Sequence, residues 1–103
     1  MGKEVQSKEA LISLLRINRN KIRQLGVSKL SLFGSFLTNR FHAESDVDFL
    51  VEFQPNMKTY DNFMELSFFL EDLLGRRVEL VTSQSLSPHI GPYILKEAEN
   101  VAL

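Results

Sequence analysis

The spacing of apolar residues predicts a helix near the start of the chain. From Ser7 to Leu25 the apolar side chains recur every three or four residues, which is the period of one helix face. Ser7 stands in the N-cap position, and Gly26 follows the last turn, where glycine commonly ends a helix. We expect the apolar stripe to face the core; it consists of Leu11, Leu14, Leu15, Ile22 and Leu25.

Two predicted strands follow this helix. Val27 to Phe33 is the first strand, Val47 to Phe53 is the second, and Phe36 to Phe41 between them is predicted to be a short helix or turn. One face of the second strand is continuously apolar and is expected in the core, so the opposite face carries acids into a cleft. The first face has Val47, Phe49, Val51 and Phe53, and the opposite face has Asp46, Asp48, Leu50 and Glu52.

A longer helix is predicted in the second half of the chain. Thr59 or Asp61 can cap its start, and Gly75 ends it after Leu74. Its spacing directs a set of large apolar residues inward, namely Phe63, Leu66, Phe69, Leu70 and Leu73.

A third short strand and a last helix complete the predicted elements. Arg77 to Thr82 reads as the strand, with Val78 and Leu80 on one side and Glu79 and Val81 on the other. The last helix is expected from about Pro88 to Ala98, because proline in the first turn gives up no amide that the helix needs. The order of elements predicts an α/β (α+β) fold with a small mixed three-stranded sheet flanked by about four helices.

Length and composition limit the classes of protein that the chain can be. At 103 residues we expect one domain, covering residues 1–103, with any substrate pocket shallow or completed by a partner. The apolar fraction of 44% and the charged fraction of 24% are those of a globular protein, which argues against disorder. A net charge of −1 provides no strong signal for nucleic acid. The basic cluster of Arg16, Arg19, Lys21 and Arg23 is interpreted as a solvated helix face.

Cysteine content and hydropathy indicate the cellular compartment in which the protein is expected. The chain has no cysteine, which excludes a disulfide framework and a thiolate metal site. No stretch of about 18 apolar residues is present, and the first ten residues lack the apolar centre of a signal peptide. We therefore expect a cytoplasmic protein without a membrane association.

Candidate chemistry lies between the first two predicted strands. Gly34 and Ser35 stand at the end of the first strand, where glycine allows close approach of an anion to backbone N–H groups. After ten intervening residues, Asp46 and Asp48 form a DxD pattern whose carboxylates leave the same strand face about 7 Å apart. Two like charges held side by side repel, and a fold keeps such a pair most readily around a cation.

These motifs together resemble the minimal nucleotidyltransferases, small members of the DNA polymerase beta superfamily. That family has a strand, GS, ten residues, DxD, and a later strand with a third acid. Here the corresponding segments are LFGS, SDVDFLVEF and LGRRVELVT, and the C-terminal SLSPHIGPYILKEA is similar to the closing helix of the family. The resemblance covers nearly the whole chain and implies the nucleotidyltransferase fold.

The resemblance implies roles for individual residues. Asp46, Asp48 and Glu79 correspond to the three catalytic acids, which would bind two Mg²⁺ ions; the family usually has aspartate where Glu79 stands. Gly34, Ser35 and Arg40 are the expected nucleotide-binding residues. Asn39 is expected to replace a glycine in a left-handed turn, and the arginines that often follow GS in the family are absent here.

The resemblance also implies an activity and a partner. We expect Mg²⁺-dependent transfer of AMP from ATP to a hydroxyl, with the acceptor a tyrosine of a cognate HEPN-domain ribonuclease toxin, so that the chain acts as an antitoxin. Two alternatives remain open at this point. The domain can neutralise the same toxin by contact alone, with a degenerate site, or it can sense a nucleotide or metal without transfer.

Other polar residues carry weaker signals. His42 and His89 have no other histidine or cysteine at metal-ligand spacing, so we interpret them as surface or structural residues. Arg76 and Arg77 precede the third predicted strand, and contact with phosphates and simple solvation are both open for them.

Overall fold

A four-stranded mixed sheet forms the centre of the part of the chain that the computed structural model describes, residues 4–101 and 103. Its strands are β1 (Val27–Phe33), β2 (Val47–Phe53), β3 (Val78–Thr82) and β4 (Glu99–Val101). They lie in the order β3-β2-β1-β4. β1 is antiparallel to both β2 and β4, whereas β2 and β3 are parallel. The sheet is therefore mixed, as predicted.

The prediction of three strands was wrong by one strand, β4. This strand has three residues and pairs with β1 through Leu30, Ser31 and Leu32. A strand so short cannot display the alternation that reveals a strand in a sequence. Its contribution is to cover the outer edge of β1 and to bury Val101, which is 3% exposed. Lys8 and Glu99 form a salt bridge of 2.8 Å that also attaches β4 to the N-terminal helix.

Helices flank the sheet, and the described residues contain four α-helices, as predicted. They are α1 (Lys8–Ile17), α2 (Arg19–Gln24), α3 (Tyr60–Leu74) and α4 (Gly91–Glu97), and a short 3₁₀ helix covers Ser83–Ser85. None of the helices in residues 4–101 and 103 combines the length and the apolarity needed to span a bilayer.

Two helix boundaries differ from the prediction. The first predicted helix is divided at Asn18, whose side-chain amide donates to the carbonyl of Leu14 at 2.9 Å and ends α1. The last helix begins at Gly91 rather than at Pro88, and Pro92 is the proline in its first turn. Ser87 explains the later start, because its hydroxyl accepts from the amides of His89 and Ile90 and stabilises a turn there.

The predicted caps are confirmed. Ser7 accepts from the amide of Ala10 at 3.0 Å, and Thr59 accepts from the amide of Asn62 at 3.1 Å, so each side chain satisfies a free amide of a first helical turn. Gly75 ends α3 in the left-handed conformation, with φ of 68°.

The core lies on the predicted apolar face of β2. Val47, Phe49 and Val51 are fully buried there, whereas Glu52 on the opposite face is exposed. Helices supply the rest of the core: the fully buried helical residues are Leu11, Leu15, Ile22, Leu66, Leu70 and Leu74. The core therefore fixes which face of β2 presents Asp48 to solvent.

Candidate functional site

The phosphate turn, which we define as residues 34–40, begins where β1 ends. Gly34 has φ of 80°, a conformation that costs little only for glycine. The side chain of Asp48 packs directly against it: a Cβ on Gly34 would collide with Asp48 Oδ2 and would lie 3.0 Å from Asp48 Cγ. The β1–β2 register causes this contact, because Phe33 is the partner of Asp48. Glycine is therefore required at position 34 by conformation and by space.

Backbone hydrogen bonds keep the phosphate turn compact. The carbonyl of Gly34 accepts from the amides of Leu37 at 3.1 Å and Thr38 at 3.3 Å, and that of Ser35 accepts from the amide of Arg40 at 2.9 Å. Asn39 has φ of 59°, which confirms its predicted left-handed conformation. Within the predicted segment 36–41, residues 36–39 form turns and no helix is present, which is one of the two predicted possibilities.

The three predicted acids lie on adjacent strands. Asp46 immediately precedes β2, Asp48 is the second residue of β2, and Glu79 is the second residue of β3. In the parallel register, Asp48 and Glu79 are direct partners, so their side chains leave the same face of the sheet one strand apart. The structure thus brings the third acid beside the first two.

The acids are close enough to influence each other electrostatically. Burial, the negative charge of Glu79 and that of Asp46, in decreasing order, together raise the pKa of Asp48 from 3.8 to about 6. Asp48 is half-buried, while Asp46 and Glu79 are exposed. The acid cluster, meaning Asp46, Asp48 and Glu79, therefore concentrates negative charge around one partly desolvated carboxylate.

The chemistry of the acid cluster fits a magnesium ion that a substrate helps to hold. Within residues 4–101 and 103, no three carboxylate or imidazole side chains are arranged so that they could hold a metal by themselves. Mg²⁺ is commonly bound through one or two carboxylates together with substrate phosphates and water, rather than by a cage made of protein alone. Oxygen donors beside a phosphate turn match that mode of binding.

The other predicted site residues lie near the turn without joining the acid cluster. Arg40 is exposed at the end of the phosphate turn, and its backbone amide is the group that donates to Ser35. His42 is structural: its Nδ1 accepts from the amide of Glu44 at 3.2 Å. His89 is exposed beside α4.

Arg76 has a role that the sequence did not indicate. It is 7% exposed, so the solvated position left open for it is wrong, and its guanidinium donates to backbone carbonyls. Arg77 is exposed, and its carbonyl accepts from the amide of Val47 at 2.9 Å. An arginine flanked by helix and strand patterns has no periodic signature of burial, and the two phenylalanines that pack against it, Phe36 and Phe41, are distant in sequence.

A groove of about 400 Å³ adjoins the phosphate turn on the side of α4. Its floor includes Gly34 and Leu37, and α4 contributes Tyr93 and Ile94. Tyr93 is 69% exposed, so its ring is open to a ligand in the groove. Sequence analysis assigned no role to Tyr93, because a lone tyrosine in a helix carries no motif.

Family comparison agrees with this geometry. Residues 14–101 match the model of the nucleotidyltransferase domain, a range that includes the phosphate turn, the acid cluster and all four strands. The chain belongs to the nucleotidyltransferase domain family. The family prediction made from the LFGS and SDVDFLVEF segments is confirmed, and so is the nucleotidyltransferase fold.

Individual relatives of this nucleotidyltransferase are similar over most of their length. Protein adenylyltransferase MntA of Thermococcus cleftensis is 37% identical over 90 residues, which are 86% of this chain and 90% of the relative. A solved structure provisionally described as a minimal nucleotidyltransferase has a TM-score of 0.79 and 28% identity, covering 95% of this chain and 97% of that one. A toxin–antitoxin structure with AMP-PNP has a TM-score of 0.64 and 25% identity, covering 94% and 73%.

Proposed function

We propose that this nucleotidyltransferase transfers AMP from ATP to a hydroxyl group in the presence of Mg²⁺. The observation that carries the proposal is the packing of Asp48 against Gly34, which joins the acid cluster to the phosphate turn. A transferase of this kind needs both parts side by side, because the triphosphate must reach the anion-binding turn and the carboxylates at once.

The residues have distinct roles in this proposal. Gly34 and Ser35 would bind the β and γ phosphates through backbone N–H groups and the Ser35 hydroxyl. Asp46 and Asp48 would hold the Mg²⁺ that accompanies the triphosphate, and Glu79 would share a second ion on the acceptor side. When bound, Mg²⁺ would neutralise phosphate charge and lower the pKa of the acceptor hydroxyl. Arg40 would add a positive charge at the open end of the turn.

The chemistry of transfer needs no nucleophilic side chain. The acceptor oxygen forms a bond to the α-phosphorus, the bond between that phosphorus and the bridging oxygen breaks, and pyrophosphate leaves while the hydroxyl proton passes to water. The contribution of the chain is to position the reactants and to neutralise charge. The absence of cysteine agrees with such a mechanism.

The groove beside α4 is the proposed place for the nucleobase. It shares Gly34 with the phosphate turn, so a nucleotide whose phosphates bind there has its base within reach of the groove. An exposed tyrosine ring supplies a stacking surface, and Leu37 and Ile94 supply apolar contacts.

The proposed acceptor is a tyrosine of a cognate HEPN-domain ribonuclease toxin, which would make this chain an antitoxin in the cytoplasm. Support comes from relatives: one is named a protein adenylyltransferase, and one of the similar structures is a toxin–antitoxin complex with a nucleotide analogue. The exposed acids and the open groove suit a site that a second protein completes.

Transfer of label from ATP to the partner tests the proposal. The protein, Mg²⁺, ATP labelled at the α-phosphate and the candidate toxin are incubated, and label in the toxin and released pyrophosphate are measured. We expect equal amounts of both, with a loss of about 100-fold in Asp48→Asn and no loss in the matched control Asp61→Asn, whose carboxylate lies in the first turn of α3.

One outcome would replace transfer with neutralisation by contact. If the complex with the toxin forms and inhibits it, yet no label or pyrophosphate appears at any Mg²⁺ concentration, the enzymatic proposal is wrong. The domain would then act as a binding module with a degenerate site.

A further inference from the structure

Arg76 lies at the junction between α3 and β3 and is almost completely buried. Arginine is rarely buried unless partners compensate its charge and its donors. Its Nε donates to the carbonyl of Val5 at 2.9 Å. Its Nη1 lies 3.1 Å from each of three carbonyls of the loop before β2, those of His42, Ala43 and Ser45.

Two aromatic rings complete the environment of this guanidinium. Phe36 and Phe41 stack with centroids 4.0 Å apart and planes 3° from parallel. The guanidinium carbon of Arg76 lies 4.9 Å from the Phe36 centroid and 5.8 Å from that of Phe41, which are cation–π distances. Both phenylalanines belong to the segment that follows Gly34, so Arg76 also contacts the phosphate turn and its continuation.

The contacts of Arg76 connect the segments that carry the first and third acids. Ser45, whose carbonyl Arg76 binds, immediately precedes Asp46 in the chain. Glu79 is three residues after Arg76, at the start of β3. Beside the parallel pairing of β2 and β3, this one buried side chain therefore connects the loop that carries Asp46 to the segment that carries Glu79.

Arg76 does not neutralise the acid cluster. Among the residues that the structure describes, its four hydrogen bonds all go to backbone carbonyls. Within the described part of the chain, the salt bridge present joins Lys8 and Glu99, and Arg76 forms none with a carboxylate. The negative charge of the cluster is consequently left available for a cation.

We propose that Arg76 is a positioning residue, which holds the 42–45 loop so that Asp46 stays beside Asp48 and Glu79. The part of this inference that concerns ligand binding rests on the proposed function. Lysine cannot replace it, because an ammonium group lacks the planar fork that reaches carbonyls on two separate segments while lying against aromatic rings.

The first test measures the loop directly, without a ligand. Hydrogen exchange is followed at two amides whose hydrogen bonds fix the loop, Ser45 to His42 and Val47 to Arg77. In Arg76→Lys we expect exchange at both amides to accelerate at least tenfold relative to the amides of β1. The matched control Ile22→Val mildly destabilises the distant core and should accelerate no amide of the loop selectively.

The second test measures the consequence for the site. Calorimetry gives the affinity for Mg²⁺ with α,β-methylene-ATP, an analogue that cannot release pyrophosphate. We expect binding to weaken at least tenfold in Arg76→Lys and to be unchanged in two controls that remain folded, Ile22→Val and Arg23→Lys. Arg23 is exposed on α2, so its substitution repeats the arginine-to-lysine change away from the site.

The outcomes separate this inference from the proposed function. If the wild-type protein does not bind the analogue, the proposed function fails, and the exchange experiment still decides whether Arg76 holds the loop. If the wild type binds and Arg76→Lys binds equally well, the positioning role is overturned.

A second variant is available should Arg76→Lys fail to fold. Phe41→Leu removes one of the two rings that contact the guanidinium and keeps the hydrogen bonds of Arg76. We expect this variant to bind the analogue more weakly and to exchange the loop amides faster than the wild type.

Discussion

Asp48 and Glu79 are register partners on the parallel strands β2 and β3, so their carboxylates share one face of the sheet. Neighbouring strands lie about 5 Å apart, which is close enough for the two charges to interact in a partly desolvated site. This pairing explains why the pKa of Asp48 responds to an acid that is 31 residues away in sequence.

Removal of Glu79 should lower the pKa of Asp48. Burial is the largest cause of the raised value and Glu79 is the second, so Glu79→Gln should bring the pKa of Asp48 below about 6 without restoring 3.8. Carboxyl carbon NMR in the presence of a chelator measures the titration. Glu52→Gln, an exposed change at the far end of β2, is the matched control and should leave the pKa of Asp48 unchanged. An unchanged value in Glu79→Gln would contradict the pairing.

The raised pKa of Asp48 should make stability fall as pH rises. The folded state binds this proton more tightly than the unfolded state, so the free energy of unfolding declines between pH 4 and pH 6 and stays low above that range. Asp48 is only half-buried, and after allowance for solvent screening we expect a change on the order of 1 kcal/mol. Urea unfolding with a chelator measures it.

The variant Asp48→Asn distinguishes the contribution of Asp48 to the pH dependence of stability from that of the other carboxylates. Asp48→Asn should lose this decline and be more stable than the wild type at pH 7 without metal, because an uncharged amide has no charge to desolvate. Asp61→Asn, at the start of α3, should keep the decline. Identical pH profiles in wild type and Asp48→Asn would assign the effect to another group.

Magnesium should stabilise the folded protein through the acid cluster. An ion that binds only the folded state raises the free energy of unfolding, by about 2.7 kcal/mol at a concentration 100 times its dissociation constant. Thermal unfolding should therefore shift upward with Mg²⁺ and a non-hydrolysable nucleotide, and Asp46→Asn should abolish the shift. An equal shift in Asp46→Asn would count against the metal site, whereas Asp72→Asn on α3 should respond as the wild type does.

Gly34→Ala should lower the stability of the fold and should also abolish transfer under conditions in which the variant is still folded. The variant must adopt φ of 80° and displace the Asp48 carboxylate, so we expect a loss of at least about 1 kcal/mol in the free energy of unfolding. Gly75→Ala is the matched control, since Gly75 also has a positive φ, 68°, but ends α3 and lies outside the phosphate turn. Both variants should unfold at lower urea concentration, but only Gly34→Ala should lose transfer at a concentration where both are folded.

Most of the site could be predicted because its chemistry lies in short motifs. Gly34, Asp46 and Asp48 are placed by two strands with clear alternation, and the register of an antiparallel pair follows from that alternation. Glu79 was assigned through the family resemblance, which places a third acid on a later strand, and the alternation of its own strand located only its face. Local sequence patterns were sufficient to predict the position of a residue where that position depends only on the strand to which it belongs.

The missed features depend on contacts distant in sequence. β4 exists because three residues after α4 meet the free edge of β1, and no periodicity signals so short a pairing. Arg76 is buried because carbonyls from residues 5 and 42–45 converge on it, an arrangement that appears only after the chain has folded. The start of α4 was misplaced because proline permits a helix start without requiring one.

Tyr93→Ala should weaken the binding of ATP. If the base stacks on this exposed ring, its removal costs about 1–3 kcal/mol, the range measured for base–aromatic stacking. We expect the KM for ATP to rise at least fivefold with a smaller change in kcat. Tyr60→Ala is the control, because Tyr60 is similarly exposed at 77% but belongs to the first turn of α3. Equal KM values in the two variants would exclude the groove as the base site.

The most direct test of the central claim is the intact mass of the partner toxin after incubation with this protein, Mg²⁺ and ATP. We predict that the toxin gains the mass of one or more adenylyl groups, located by fragmentation on a tyrosine. The gain should disappear with Asp48→Asn and persist with Asp61→Asn. A toxin that is bound and inhibited by the wild-type protein but keeps its original mass would contradict nucleotidyl transfer.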